Sequence, residues 1–239
     1  MNITKLLAAR QDDMYQSKIP TIAFLGDSVT QGCFELYRKG EKHSTIFDQK
    51  NAYSNRVAEI LAMLYPKCRV NIINAGISGD STKGGLQRLD RDVLSHCPDL
   101  TVVCFGLNDC CGGIDRAEKY AVRLGEIFDA LTEAGSEVIY MTPNMMCTTE
   151  SPLANDEYFK KLEEKFLRLQ NEGVLDAFIE AGRRVANERG IRICDVYAKW
   201  KTLADNGVNV TGLLSNGMNH PTREMHWLFA YSLVEEMMK

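Results

Sequence analysis

Four short stretches of this 239-residue chain hold residue types suited to acyl transfer. They are Gly26-Asp27-Ser28-Val29-Thr30-Gln31-Gly32, Asn74-Ala75-Gly76-Ile77-Ser78-Gly79-Asp80, Gly106-Leu107-Asn108-Asp109 and Asn216-Gly217-Met218-Asn219-His220-Pro221. A serine hydroxyl such as that of Ser28 is a poor nucleophile until a base removes its proton during attack. The neutral imidazole of His220 is the group here that could do so near neutral pH. Attack on an ester carbonyl makes an oxyanion, which needs hydrogen-bond donors already in place. Taken singly, each residue has a plainer reading. Ser28 could cap a helix, Gly79 could serve a tight turn, Asn108 could form an Asx turn and His220 could start a helix. Asp27 and Asp109 read as turn-capping carboxylates, not proton carriers.

The elements that would carry these stretches follow from periodicity. Runs of strand length at Thr21–Leu25, Val70–Ile73, Leu100–Phe105, Glu137–Met141 and Ile191–Cys194 alternate with helical patterns. Tyr53, Val57, Ile60, Leu61 and Leu64 mark one helix, closed by Pro66, and Leu86, Leu89, Val93 and Leu94 mark the next. Asp115 and Glu118 form a capping-box signature before a third helix, with Gly135 as its terminator. A long helical region divides near Gly173, and a closing helix carries Met225 through Met237. This alternation predicts one α/β domain spanning residues 1–239, with a parallel sheet covered on both faces and a flavodoxin-like 2-1-3-4-5 order. Ligands bind at the carboxyl ends of strands in such sheets, where the chemical stretches fall. The polar segment from Phe34 to Lys50 is expected to be a loop insertion near the mouth of the site.

Taken together and in order, the four stretches resemble the SGNH (GDSL-like) hydrolases, named for a Ser, a Gly, an Asn and a His in four blocks. Gly-Asp-Ser-Val stands where the family more often has Gly-Asp-Ser-Leu. Asn74-x-Gly76-x-x-Gly79, Gly106-x-Asn108-Asp109 and His220-Pro221 match the other three blocks. The resemblance implies Ser28 as nucleophile and His220 as its base. It assigns the oxyanion donors to the backbone N–H of Ser28, the backbone N–H of Gly79 and the side-chain amide of Asn108. It further implies a carboxylic-ester hydrolase working through an acyl-enzyme on a short-chain ester, carbohydrate O-acetyl groups among the candidates, without metal or organic cofactor.

One position departs from the family. The acid that usually stands three residues before the His is here Gly217. Three substitutes are open: Asn216 or a backbone carbonyl as orienter of His220, a carboxylate such as Asp195 or Asp205 from elsewhere, or a weakened site. Of the other histidines, His226 reads as a packing residue beside Trp227, His43 as a possible substrate neighbour and His96 as a helix end.

Composition narrows the field. Hydrophobic residues at 45%, charged residues at 25% and a net charge of −4 describe a soluble globular chain with no basic stripe for nucleic acid. No run approaches a membrane span, and the first residues lack a secretory pattern. A cytoplasmic protein acting on a small-molecule or carbohydrate ester is the expectation. Eight scattered cysteines without C-x-x-C spacing argue against a zinc or thioredoxin-type site. The rival readings are a non-catalytic or weakened ligand-binding module and a flavin or nucleotide binder, the latter lacking any phosphate-loop motif.

Overall fold

The computed structural model describes residues 2–239; Met1 lies outside the described residues. Seven strands form in chain order: β1 (Thr21–Gly26), β2 (Cys33–Lys39), β3 (Lys42–Phe47), β4 (Asn71–Gly76), β5 (Leu100–Cys104), β6 (Glu137–Met141) and β7 (Arg192–Cys194). The helices are α1 (Asn2–Asp12), α2 (Ser28–Gln31), α3 (Tyr53–Leu64), α4 (Thr82–Gln87), α5 (Leu89–Asp92), α6 (Ala117–Glu133), α7 (Glu157–Asn171), α8 (Val174–Glu188), α9 (Val196–Asp205) and α10 (Met225–Met238).

Five strands make one parallel sheet in the order β4-β1-β5-β6-β7, which counted within that sheet is the expected 2-1-3-4-5. β1 and β5 sit at its centre and are almost wholly buried, which is why both read as unbroken apolar runs. Helices cover both faces: α3 packs on α10 with α1 beside it, and α6 packs between α4 and α8. The apolar stripe of α8, Leu175, Phe178, Ile179, Gly182, Val185 and Ala186, is buried in this way. Each large side chain so buried contributes roughly 1.5–3 kcal/mol.

Local differences from the sequence expectation have physical causes. The Phe34–Lys50 segment is a β-hairpin, not a loop: β2 and β3 pair antiparallel as a separate two-stranded sheet. Most of its residues are exposed, so it carries no apolar alternation to betray it. The helix expected from Leu86 to Leu94 is broken into α4, α5 and a 3-10 turn at Leu94–His96. Asp115 does not cap α6. It lies in a 3-10 turn, Ile114–Arg116, that runs straight into the helix, and the cap position at Arg116 makes no side-chain bond. Gly135 does follow α6 as expected, and its N–H donates to the Thr132 carbonyl at 2.9 Å. The sequence periodicity does not predict α1 or α9. α9 starts at Asp195, whose carboxylate accepts the Ala198 N–H at 3.0 Å.

Candidate active site

β1 ends at Gly26 and the chain turns at once into α2, so Ser28 opens a helix at the carboxyl edge of the central strand. Asp27 makes the turn, its carboxylate accepting the Val29 N–H at 3.0 Å. Burial pushes the Asp27 carboxyl up to about 7, with the charges of Asp109 and Asp80 adding to the effect. The N–H groups of a helix's first turn have no intrahelical acceptor, which leaves that of Ser28 for a ligand.

His220 reaches Ser28 from the far end of the chain. Its Nε2 lies 3.0 Å from Ser28 Oγ, and both residues are buried. Its Nδ1 lies 2.8 Å from the backbone carbonyl of Phe34 in β2. A carbonyl oxygen can only accept, so Nδ1 carries the proton and Nε2 is left as the acceptor facing the serine. Burial pulls the His220 pKa down to about 4, against the opposing effect of the Phe34 bond.

Asn216 does not orient the imidazole. Its Oδ1 accepts the backbone N–H groups of Met218 (3.0 Å), Asn219 (2.9 Å) and His220 (3.0 Å), which folds the loop that presents the base. Nor does Asp195 swing in: it caps α9 and pairs with Arg183 at 2.8 Å. Asp205 is the last residue of α9, and both ring nitrogens of His220 already have other partners. The structure also explains the missing acid. Gly217 has φ +69°, and a Cβ there would lie 2.2 Å from Ser151 Oγ, so this loop has no place for an Asp.

The residues expected to face an oxyanion stand just after strand ends. Gly79 follows β4 in a left-handed conformation, φ +78°, that favours glycine. Asn108 follows β5; one amide hydrogen goes to the Asp80 carbonyl at 2.8 Å, and the other remains for the cavity. Asn74 ties β4 to α2 by donating to the Thr30 carbonyl at 2.8 Å. Asp109 accepts from the Thr82 hydroxyl at 2.6 Å and from its N–H at 3.0 Å, and burial raises its pKa. Ser28, Gly79, Asn108 and His220 line one cavity of about 500 Å³, within the usual range for small-molecule sites.

Two arginines invisible to motif reasoning hold the two sides. Buried Arg88 bonds the Asp80 carboxylate (2.7 Å) and the carbonyls of Ala75 (2.6 Å) and Gly26 (3.0 Å), so it fastens the ends of β4 and β1 to the turn after Gly79. Arg223 pairs with Glu35 (2.5 Å) and Asp48 (2.7 Å) and stacks 4.3 Å over the Phe34 ring. That contact holds the Glu35 carboxyl below its usual range and clamps the hairpin residue whose carbonyl meets His220. Neither arginine belongs to a spaced motif, so nothing in the sequence singles it out. His226 is a packing residue, but against Phe34 (4.9 Å) and Phe229 (5.9 Å) in place of Trp227. Its Nδ1 accepts the Tyr53 N–H at 2.9 Å, and burial lowers its pKa to about 3. His43 lines the cavity and bonds Tyr158. His96 ends the 3-10 turn.

With a five-stranded parallel sheet in flavodoxin-like order, a strand-end serine and a histidine 3.0 Å away, the fold is that of the SGNH hydrolases. The model of the GDSL-like Lipase/Acylhydrolase family matches residues 24–228, and the chain belongs to that family. It is similar to an acetylxylan esterase of Geobacillus stearothermophilus, 30% identical over 88 residues, or 37% of this chain and 39% of that protein. It is also similar to an arylesterase of Vibrio mimicus, 33% identical over 72 residues, or 30% of this chain and 36% of that protein. The matched stretches thus span less than two fifths of either relative. Among solved structures, a catalytic mutant of the Geobacillus stearothermophilus acetylxylan esterase Axe2 superposes with a TM-score of 0.67 at 17% identity, over 91% of this chain and 94% of the other. A lipase/acylhydrolase from Enterococcus faecalis gives 0.66 at 22% identity, over 92% and 95%. These two likenesses speak for the fold. No described helix is long and apolar enough to cross a membrane.

Proposed function

We propose that the protein is a serine esterase that cleaves a short acyl group from a small-molecule or carbohydrate alcohol through an acyl-enzyme. The observation that carries this reading is the 3.0 Å contact between Ser28 Oγ and the acceptor nitrogen of His220, beside the Gly79 and Asn108 donors. Ser28 Oγ attacks the ester carbonyl carbon while its proton passes to His220 Nε2. The oxyanion is held by the N–H groups of Ser28 and Gly79 and by the Asn108 amide. Collapse breaks the bond to the alcohol oxygen, which takes the proton from Nε2 and leaves acyl-Ser28. Water then attacks that acyl group, giving its proton to Nε2; expulsion of Ser28, reprotonated from Nε2, releases the acid.

The site works as a dyad. A neutral carbonyl at Phe34 selects the right tautomer, but it stabilises the imidazolium less than a carboxylate would. The missing acid favours a weakened module; the Phe34 carbonyl, 2.8 Å from Nδ1, supports the dyad instead.

Hydrolysis of 4-nitrophenyl acetate by the wild type and by Ser28→Ala tests the proposal. Turnover is expected to fall by about 10⁴-fold or more in the variant, and a fluorophosphonate is expected to label Ser28. Equal turnover in both proteins, together with no labelling, would overturn it.

A further inference from the structure

The catalytic cavity carries an unbalanced charge. Lys165, partly buried on α7, is the sole Lys or Arg among its described lining residues, and no Asp or Glu lines it. α7 turns Leu162, Lys165 and Phe166 toward the cavity, the i, i+3, i+4 spacing of one helix face. Lys165 forms no ion pair with a carboxylate among the described residues, although this chain has 32 acids against 28 Lys and Arg. An ammonium on the wall of a cavity, with no carboxylate partner, is available to an anionic group that enters it.

The hairpin lines part of that cavity and is tied to α7. Arg38 of β2 stacks 4.4 Å over Tyr158 and pairs with Asp156 at 3.4 Å, and His43 of β3 bonds Tyr158. The hairpin is thus fastened to the start of α7, and Lys165 of that helix lines the same cavity of about 500 Å³ as Ser28. A second cavity, of about 210 Å³, repeats the imbalance. Asn108 borders both, and the second is lined by Lys83, Arg116, Lys119 and Arg123 with Asp109 as its one acid. None of those four cations has an ion pair among the described residues, and Asp109 spends Oδ1 on Thr82.

We infer that the ester substrate carries an anionic group, a carboxylate or a group of similar charge, which Lys165 binds while Ser28 attacks the ester. This rests on the esterase reading above and names the substrate class of that same site. The acid can sit on the acyl part or on the alcohol part; the recognition chemistry is the same, a charge-assisted hydrogen bond from Nζ. Cys111 is the neighbouring group that competes for Lys165. Its thiol bonds the Leu107 carbonyl at 3.6 Å, and the Cys110 thiol and Lys165 draw its pKa down.

The test compares kcat/KM for matched charged and neutral esters. Mono-4-nitrophenyl glutarate against its methyl ester reads the acyl side, and 4-acetoxybenzoate against 4-acetoxybenzamide reads the alcohol side. In the wild type at low salt, at least one pair is expected to favour the acid, by about tenfold relative to the same ratio in Lys165→Met. The pair that responds assigns the side. Lys165→Met should leave 4-nitrophenyl acetate turnover within about threefold, because acetate carries no group for it to bind. Lys165→Glu should reverse the preference, and Cys111→Ala should keep or raise it.

No acid preference in either pair, or a preference unchanged in Lys165→Met, would overturn the inference. So would its loss in Cys111→Ala, since the selective group would then be sulfur. These results are separable from failure of the esterase reading, which would show as turnover of 4-nitrophenyl acetate that does not depend on Ser28.

Discussion

The two halves of the site are built differently. Ser28, Gly79 and Asn108 sit just beyond the ends of β1, β4 and β5, neighbouring strands of one parallel sheet, and Arg88 ties two of those ends together. His220 sits on a loop after a 3-10 turn, and its orienting partner comes from a hairpin outside the sheet, 186 residues away in sequence. The half proposed to hold the oxyanion inherits its geometry from the sheet. The base half depends on a few polar clamps, Asn216 within the loop and Arg223 across to the hairpin. The lesson is that preorganisation on the donor side should be robust, while the base should be sensitive to distant surface contacts.

Four experiments sharpen or break that contrast. The largest effect after loss of the nucleophile should come from Asn108→Ala, with kcat for 4-nitrophenyl acetate falling about 10²- to 10³-fold while KM stays near wild type. A loss below tenfold would mean that the donor half is not doing oxyanion work. Next is Arg223→Ala, which touches neither Ser28 nor His220. It should lower kcat about 10- to 100-fold by releasing Phe34, with Arg223→Lys recovering only part because an ammonium cannot copy the fork to Glu35 and Asp48. Full activity in Arg223→Ala would show that the base half needs no clamp.

The pH profile comes third. Burial lowers the His220 pKa to about 4, so the neutral base persists well below the ordinary value of 6.5. The acid limb of kcat/KM should therefore fall near pH 4, and a limb at pH 6.5 would contradict the burial argument. The sign for stability agrees. Between pH 6.5 and 4 the unfolded chain takes up a proton that folded His220 refuses, so this residue's contribution to stability is lost as pH falls through that window. Urea titrations at pH 7, 5 and 4, compared with His220→Gln, would show it. Asp27 has the opposite sign: raised to about 7, it favours the fold at low pH and loses that contribution as pH rises from 3.8 to 7.

The smallest change is Gly217→Asp, which writes the family's usual acid into its place. It should not raise kcat. It should lower stability by about 1–3 kcal/mol through the positive φ and the Ser151 contact, read as a reduced midpoint in urea. A gain in activity would mean that the loop can rearrange around a third catalytic group.

How much of this was readable depends on where the information sits. The strand order, the five parallel strands and the positions of Ser28, Gly79, Asn108 and His220 follow from local runs and short motifs. The hairpin escaped notice because its strands pair only with each other and stay largely in solvent, so no apolar face was selected. The orienter of His220 escaped for a deeper reason. It is a main-chain carbonyl, which every residue possesses, so no side chain at position 34 announces it. Asn216, the nearest polar side chain in sequence, spends its oxygen on three backbone N–H groups instead.

By itself, then, the sequence determined what is encoded in residue type and short-range spacing: a parallel α/β sheet, chemical groups at its strand ends, and a glycine where an acid usually stands. Only the tertiary structure decided which carbonyl meets His220, which arginine holds that carbonyl, and that one lysine with no carboxylate partner among the described residues shares the cavity. Those choices are contacts between segments far apart in the chain, and a distance across space leaves no period or motif along it.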